Sequence, residues 1–313
     1  MGGNIFFLEF EPVLLKWLQS IFGSIGEYIG LIFGLFGELV VVIGILGFIY
    51  WCYDKEMGKQ IGVGVAVAAC WNPLLKNIVL RIRPYMVHEE VQCLRPVEPS
   101  ADIYDISAQG YSFPSGHSTN SAAIYGSFPL VLRQKIFKVC AVVIPLLVGL
   151  SRMIVGVHYP TDVLVGWLLG YGVVYGVWFL QKKIKHRWIL HLILFLISAV
   201  GIFYCKTEDY YSTIGVLGGL FLAIPFEEKF VNFSKTRNVW FCILRLAGGG
   251  LGFFLLDVLL KLPFSNEFLH SPTFGAYMVR ALRYFIIVFV LIGAYPKLFA
   301  PVENWLTSVF KRK

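Results

Sequence analysis

The sequence has few charged residues for its length. Asp, Glu, Lys and Arg make up 15% of its 313 residues, whereas hydrophobic residues make up 57%. Since an average soluble domain has roughly 25% charged residues, the composition excludes that class and indicates a membrane protein. The formal net charge of +8 would suggest nucleic-acid binding in a soluble chain. Here the cations fall in loops between apolar runs, so membrane topology explains them and no nucleic-acid partner is expected.

Spacings that bind metals or build disulfide frameworks are also lacking. The six cysteines are scattered without a Cys-x-x-Cys pair, so neither a zinc site nor a disulfide framework is expected, although a single Cys93–Cys205 bridge stays open. His88, Glu89 and Glu90 adjoin one another, but no second His or Cys stands at ligand spacing. The sequence therefore predicts no metal and no other cofactor.

The first residues lack the basic segment and the small-residue cleavage site of a signal peptide. Residues 5–22 mix Glu9, Glu11 and Lys16 with large apolar side chains, which makes this stretch too polar to span a membrane. We expect residues 1–24 to be a retained amphipathic segment that lies in the membrane interface.

Long apolar runs are what the sequence has in abundance. Each run has roughly 17 to 25 residues, enough to cross about 30 Å of hydrocarbon as a helix. They predict an all-α fold, a polytopic membrane helix bundle of about nine transmembrane helices, with a catalytic core over residues 25–181 and a four-helix extension over 182–313. The runs lie at about 25–50, 58–80, 117–132, 137–155, 160–181, 188–205, 210–226, 238–260 and 280–299.

Apart from the cations of the polar clusters described next, positive residues are divided unevenly between alternate loops, with sixteen on one side and seven on the other. The positive-inside rule makes the richer side cytoplasmic, so the N-terminus is expected outside and the C-terminus in the cytoplasm. The sixteen are Lys55, Lys59, Arg133, Lys135, Lys138, Lys182, Lys183, Lys185, Arg187, Lys229, Lys235, Arg237, Lys297, Lys311, Arg312 and Lys313, and the seven are Lys16, Arg81, Arg95, Lys206, Lys261, Arg280 and Arg283.

Three polar clusters interrupt the apolar pattern at helix mouths on the predicted extracytoplasmic side. Fixed charges at such places cost several kcal/mol unless an anion or water meets them, so a functional site is the default interpretation. Three cations, two imidazoles and the backbone amides of a helix start together suit a phosphoryl group. The clusters are Lys76 with Arg83, Pro114–His117, and Arg152 with His158 and Asp162.

Spacing within the clusters supports this chemistry. Lys76 and Arg83 are seven residues apart, close to two helical turns, so both cations would lie on one helix face if the helix continued as far as Arg83, before Pro84 stops it. His158 and Asp162 are four apart, so the carboxylate can hold one ring nitrogen and leave the other aimed at phosphorus. Two imidazoles suit a two-step displacement, with one as nucleophile and the other as general acid and then base.

The segments KNIVLRIRP, FPSGH and SRMIVGVH resemble the three motifs of the type 2 phosphatidic acid phosphatase superfamily, in the same order and without departure. The resemblance implies a helical membrane enzyme with an extracytoplasmic site and no metal. It also implies that His158 is the nucleophile that forms a phosphohistidine, that His117 is the general acid, and that Asp162 orients His158. The implied phosphate-binding residues are Lys76, Arg83, Ser115, Gly116 and Arg152.

The resemblance leaves the substrate open. The arrangement of the spans, with two before the first motif and four after the third, resembles that of the glucose-6-phosphatase branch. The residues within the motifs are nearer to those of the bacterial lipid enzymes. We expect a phosphatase for lipid phosphomonoesters or diphosphates such as phosphatidate, phosphatidylglycerophosphate or polyprenyl diphosphate. The first alternative is a hexose phosphatase, in which Tyr104 and Gln109 could bind the hydroxyls of the sugar. The others are a lipid phosphotransferase and, last, a transporter or scaffold.

Three further expectations concern residues outside the motifs. The loop over residues 81–116 joins two clusters and is expected to cap the site. Glu38, near the middle of the first span, is interpreted as a protonated packing residue, with a pair to Arg245 as the alternative. Asp257 is expected to pair with Arg280 or Arg283.

Overall fold

The computed structural model describes residues Gly2–Lys311, and these residues fold almost entirely into helices. Within that range there is no β-strand, only an isolated bridge between Asn4 and Arg81. The all-α prediction is therefore confirmed. Arg312 and Lys313, which were counted among the inside cations, lie outside the described residues.

Seven helices in the described part of the chain are long and apolar enough to cross a membrane. The predicted count of nine is not confirmed, because two of the runs form shorter helices. Gly116–Val131 has 16 residues, which at about 1.5 Å per residue is shorter than the hydrocarbon is thick, and the other is Arg187–Phe203. The seven are Ile25–Tyr53, Lys55–Val79, Lys135–Ile154, Pro160–Lys183, Glu208–Phe230, Val239–Lys261 and Phe274–Val309.

The chain divides into two compact units. The first comprises Met1–Val42 and Val67–Phe179, and the second comprises Ile43–Ala66 and Leu180–Lys313. The predicted domain limits after residues 24 and 181 divide the chain in a different way, by function, and they stay a prediction.

All residues of the three polar clusters belong to the first unit. A buried apolar group that includes Leu15, Tyr85, Val157 and Tyr159 packs around the segment that carries His158. The helices that contribute to this unit are α1 (Phe10–Phe22), α2 (Ile25–Gly34), α3 (Leu39–Phe48), α4 (Lys55–Val79), α5 (Pro84–Val87), α6 (Ile106–Gln109), α7 (Gly116–Val131), α8 (Lys135–Ile154) and α9 (Pro160–Lys183).

The first span is not the continuous helix that the sequence predicted. After α2, a 3-10 turn over Leu35–Gly37 leads to Glu38, which has extended backbone angles (φ −68°, ψ 137°), before α3 begins. Gly37 at the break lies so close to α7 that an added Cβ would be 2.8 Å from the carbonyl oxygen of His117. The break therefore lies beside one of the predicted catalytic residues.

The turn between α8 and α9 carries the nucleophile candidate. Gly156 has a φ of +75°, a conformation that side chains disfavour, and a Cβ there would overlap the carbonyl of Gln92. Pro160 then starts α9, which suits a first helical position. This turn holds His158 between Arg152, at the end of α8, and Asp162, in the first turn of α9.

The second unit adds helices and ion pairs outside the clusters. Arg283 Nη2 lies 2.6 Å from Asp257 Oδ1, which confirms one of the two expected pairs. Arg245 Nη2 lies 2.7 Å from Glu303 Oε1. In both units the cysteines, six in total, are free thiols, so Cys93 and Cys205 do not form a bridge. Its further helices are α10 (Arg187–Ala199), α11 (Glu208–Phe230), α12 (Val239–Lys261), α13 (Asn266–Leu269), α14 (Phe274–Val288) and α15 (Phe299–Lys311).

Candidate active site

His158 lies in the interior of the first unit, with only 3% of its surface exposed. Its Nε2 is 3.5 Å from Nη1 of Arg83, and its Nδ1 faces Asp162 and Ser112. Burial, and after it the positive charges of Arg83 and Lys76, lower the pKa of His158 to about 3, although Asp162 opposes them. The imidazole is therefore neutral near pH 7, and a neutral imidazole has the lone pair that a nucleophile needs.

Asp162 is held rigidly beside that imidazole. Its Oδ2 is 3.6 Å from Nδ1 of His158 and accepts hydrogen bonds from the Ser112 hydroxyl and from the backbone N–H of Tyr159, the latter at 2.8 Å. The Ser112 hydroxyl oxygen is itself 3.4 Å from Nδ1. The carboxylate can therefore orient the ring, as the spacing predicted, and Ser112 is an additional residue at this contact that sequence reasoning missed.

Arg83 stands against the opposite ring nitrogen. Backbone carbonyls fix its guanidinium: Nε and Nη2 donate to the carbonyl of Gln109 at 3.0 and 2.8 Å, and Nη1 donates to the carbonyl of Val157 at 2.9 Å. Lys76 is in the last turn of α4, and its charge acts on His158. The charges of both cations act on the nucleophile candidate. They do not share a helix face as their spacing predicted, because α4 ends at Val79 and Arg83 has an extended backbone.

Arg152, the third predicted cation, is buried between α8 and the first span. Its Nη2 donates to the carbonyl of Gly30, and its Nε donates to the hydroxyl of Ser151 at 3.3 Å. The glycine-rich face of α2 makes this approach possible, which agrees with the general rule that small residues let membrane helices pack closely.

The start of α7 has the form expected of an anion site. Ser115 is the N-cap, and its side chain accepts from the N–H of Ser118. Its own N–H donates to the carbonyl of Asp162 at 3.0 Å, so that amide is not among the helix-start amides available to an anion. At Gly116 an added Cβ would meet no protein atom closer than 3.8 Å, which leaves the backbone of the first turn open to a ligand.

His117 contacts a residue that the sequence did not connect with the site. Its Nε2 lies 3.1 Å from Oε1 of Glu38. The interpretation of Glu38 as a packing residue is therefore wrong, and so is the alternative pair, because Arg245 contacts Glu303 instead. Side-chain exposures of 23% for His117 and 44% for Glu38 mark this as the open side of the site.

Arg81 and Glu11 form a second layer behind Asp162. Arg81 Nη1 lies 2.7 Å from Asp162 Oδ1, and Arg81 Nη2 lies 2.8 Å from Glu11 Oε2. Glu11 also accepts from the N–H and hydroxyl of Thr161 at 3.0 and 2.7 Å. From the sequence, Arg81 is expected in an extracytoplasmic loop, where it counts toward the membrane orientation, and Glu11 is expected in the interfacial segment. Both side chains are instead almost fully buried.

The loop between the first two motifs is organised by Gln109. The side chain of Gln109 is fully buried, accepts from the N–H groups of Val97 and Glu98 at 2.9 and 3.1 Å, and donates to the carbonyl of Glu98 at 2.8 Å. Its carbonyl holds Arg83. The loop thus supports Arg83, one of the predicted phosphate-binding residues, and the Gln109 amide is not available to a sugar hydroxyl.

All eight predicted site residues belong to one compact unit, and distances or electrostatic contacts connect most of them directly. Within the described range, no group of three or more His, Cys, Asp or Glu residues could hold a metal ion. The donors and cations present suit an oxyanion with tetrahedral geometry.

Comparison with known proteins identifies the family. Residues 58–186 match the PAP2 superfamily, and residues 211–303 match the transmembrane extension of PAP2 superfamily phosphatases. Decaprenylphosphoryl-5-phosphoribose phosphatase of Mycobacterium tuberculosis is 30% identical over 138 residues, which cover 43% of this chain and 69% of that protein. The chain belongs to the PAP2 superfamily and is a multi-pass membrane protein.

Two other relatives are also named for lipid phosphates. Phosphatidylglycerophosphatase B of Bacillus subtilis is 34% identical over 36% of this chain and 53% of that protein. Lipid A 1-phosphatase of Rhizobium etli is 32% identical over 38% of this chain and 47% of that protein. The chain thus spans about half the length of these relatives. No solved structure matches the chain, and the predicted likeness to glucose-6-phosphatase is not confirmed.

Proposed function

We propose that this protein is a metal-independent membrane phosphatase that hydrolyses lipid phosphates through a phosphohistidine on His158. The observation that carries the proposal is the environment of this one ring. The imidazole is buried and neutral, its Nδ1 faces Ser112 and Asp162, and its Nε2 lies 3.5 Å from a guanidinium nitrogen of Arg83. Such a ring can attack a phosphorus atom whose oxygens are bound by the neighbouring cations.

In the first step the phosphoryl group binds Lys76, Arg83 and Arg152 together with the open amides at the start of α7. The lone pair of His158 Nε2 attacks phosphorus, and the bond from phosphorus to the leaving oxygen breaks. The electron pair of that bond goes to the leaving oxygen, and His117 supplies its proton, so the alcohol departs neutral. Asp162 stabilises the positive charge that develops on the ring of His158.

In the second step His117, now neutral, takes a proton from water, and the resulting hydroxide attacks phosphorus. The phosphorus–nitrogen bond breaks, its electron pair returns to His158 Nε2, and inorganic phosphate leaves. Three fixed cations balance the charge on the phosphoryl oxygens, which is the role that a metal ion has in other phosphatases.

A lipid is favoured over a sugar phosphate by the surroundings of the site. Its open side lies at the break of the first span, where Leu35, Phe36 and Leu39 expose apolar side chains. A lipid can keep its tails against this surface while its phosphate enters. Gln109, a group that a sugar could have used, is already bound to the backbone of its own loop.

The domain limits and the orientation belong to the same proposal. Residues 1–24 are an interfacial segment, 25–181 the catalytic core and 182–313 the extension. The site opens on the extracytoplasmic side, with the N-terminus outside and the C-terminus in the cytoplasm.

Purified protein is expected to release inorganic phosphate from lipid substrates in mixed micelles containing excess EDTA. The panel consists of phosphatidate, phosphatidylglycerophosphate, farnesyl diphosphate and glucose 6-phosphate. At least one lipid should give a kcat/KM above that of glucose 6-phosphate, because the open side of the site is apolar.

Three outcomes of that panel would contradict the proposal in different ways. Loss of turnover in EDTA with recovery in magnesium would reject metal independence. A higher kcat/KM for glucose 6-phosphate than for every lipid would reject the lipid class. Consumption of the donor without phosphate release would point to transfer onto an acceptor lipid.

Orientation is tested with single cysteines at two exposed loop positions of the first unit, Ser100→Cys and Gln134→Cys, in a chain whose six native cysteines are replaced by alanine. Gln134 lies between Arg133 and Lys135 in a loop assigned to the cytoplasm. This assignment requires α7, although it has only 16 residues, to cross from one face of the membrane to the other. A membrane-impermeant maleimide added to intact cells should label position 100 and not position 134. The reverse pattern, or labelling of both, would show that the assigned orientation is wrong.

A further inference from the structure

The first span brings a carboxylate into the site that neither the motifs nor the matched family region contain, because the PAP2 match begins at residue 58. Glu38 lies at the break between α2 and α3, and its Oε1 is 3.1 Å from His117 Nε2. The backbone around it is fixed to α7 as well, since the side chain of Asn120 donates to the carbonyl of Gly37 at 3.3 Å. The helix break thus serves to present this carboxylate to His117.

A carboxylate at hydrogen-bond distance has two effects on an imidazole. It fixes which ring nitrogen carries the bonded proton, and it stabilises the charged, protonated form. Protonated His117 is the state that a general acid needs in the first step. No other hydrogen bond to the His117 ring is present in the part of the chain that the structure describes, so Glu38 is the group that orients it.

The position of Glu38 also bears on the leaving group. The charges of Lys76 and Arg83 act on the nucleophile candidate His158. Glu38 instead places a negative charge on the open side, next to the proposed acid, where the charge of Arg152 also acts on it. A phosphomonoester releases an alcohol there, which needs a proton and carries no charge. A diphosphate releases a phosphate ester, which is an anion, needs no proton, and is repelled by the carboxylate.

We propose that Glu38 is a positioning residue for His117 that adapts this site to lipid phosphomonoesters, in preference to diphosphates. This inference rests on the proposed phosphatase function. Glu38 does not touch phosphorus or the nucleophile. It acts through His117, and its effect should therefore depend on how much the leaving group needs a proton.

The test compares Glu38→Gln with wild type on three donors: phosphatidate, p-nitrophenyl phosphate and farnesyl diphosphate. The measurement is kcat/KM, which reports the step that forms the phosphoenzyme and not its later hydrolysis, in which His117 acts as base for every donor. The alkyl leaving group of phosphatidate needs the proton, so its kcat/KM should fall roughly 10- to 100-fold, a part of the 10²- to 10⁴-fold that general acids supply. The nitrophenolate leaves without help, so its kcat/KM should stay within about threefold. The preference for phosphatidate over farnesyl diphosphate should fall by at least about tenfold.

Two variants separate this role from a structural one. Glu27→Gln changes an exposed carboxylate of the same span and should leave all three rates unchanged. Glu38→Asp keeps the carboxylate and should restore part of the phosphatidate rate. An equal fall for all three donors, or an unchanged ratio between phosphatidate and farnesyl diphosphate, would overturn the inference while leaving the proposed function intact. If wild type releases phosphate from none of them, the proposed function itself fails.

Discussion

Replacing His158 by alanine is expected to abolish phosphate release, with kcat reduced by at least about 10⁴-fold, the scale seen when a nucleophilic dyad is broken. No phosphoenzyme can form without the ring, and the remaining cations only bind the substrate. The measurement is phosphate release from phosphatidate under saturating conditions. His186→Ala, which alters an exposed histidine outside the motifs, should behave like wild type.

The matching experiment on His117 separates the two imidazoles. With labelled p-nitrophenyl phosphate, His117→Ala should still transfer label to His158, because this leaving group needs no acid, and then hydrolyse the phosphoenzyme slowly for want of a base. An alkaline quench preserves phosphohistidine for detection. Label on the His158→Ala protein, or equal labelling of the two variants, would mean that the roles are wrongly assigned.

The residues found from sequence are those whose chemistry conflicts with their surroundings. Arg152 and His158 interrupt apolar runs, and fixed charges in such places need a partner. His158 and Asp162 are only four residues apart, so their spacing predicted that these two side chains meet. The structure places these groups in one compact unit, so the three short motifs point to a single candidate site.

The residues that were missed have partners far away in the sequence. Glu11 and Arg81 are 70 positions apart, and no periodicity connects an N-terminal helix with the end of α4. Glu38 looked like an isolated carboxyl in a continuous span, because the break beside it falls among apolar residues that also form helices. The one available signal for this pair was Arg81 itself, which stands between Leu80 and Ile82. An arginine between apolar residues needs a hydrogen-bond acceptor, as the arginines of the motifs do.

The number of spans could not be fixed from apolar runs for a similar reason. Hydropathy measures composition, whereas spanning also needs length. The helix Gly116–Val131 begins where Ser115 caps it and ends after 16 residues. The residues near its start are the polar residues of the candidate site, which hydropathy does not count as part of an apolar span.

The second large effect on stability and activity is expected when Arg81 is replaced. This side chain neutralises Asp162 on one side and Glu11 on the other, so Arg81→Met leaves two buried carboxylates without their cation. Removal of one partner from a buried ion pair typically costs about 3 to 5 kcal/mol of folding stability. We expect a clear fall in the thermal unfolding temperature and a kcat lower by roughly 100-fold, because Asp162 orients His158 less firmly.

The pH dependence of kcat/KM is a measurement that a loss of folding stability alone would not change. In wild type the low pKa of His158, about 3, keeps the nucleophile deprotonated from pH 5 upward. Without Arg81 the charge of Asp162 is less compensated and favours the protonated ring, so the pKa of His158 rises. Since only the deprotonated ring attacks, the ratio of variant to wild-type kcat/KM should fall as pH decreases from 8 to 5 and level off above the raised pKa.

Control variants distinguish this electrostatic role from a loss of folding. Glu11→Gln combined with Arg81→Met removes the second buried carboxylate and should recover part of the lost stability while keeping the shifted pH profile, because Asp162 is still uncompensated. Arg81→Lys retains a cation and should keep the wild-type profile, and Glu9→Gln, at an exposed position two residues from Glu11, should change nothing. If the ratio of Arg81→Met to wild type were the same at every pH, Arg81 would act only by holding the fold, and Asp162 would set the state of His158 without it.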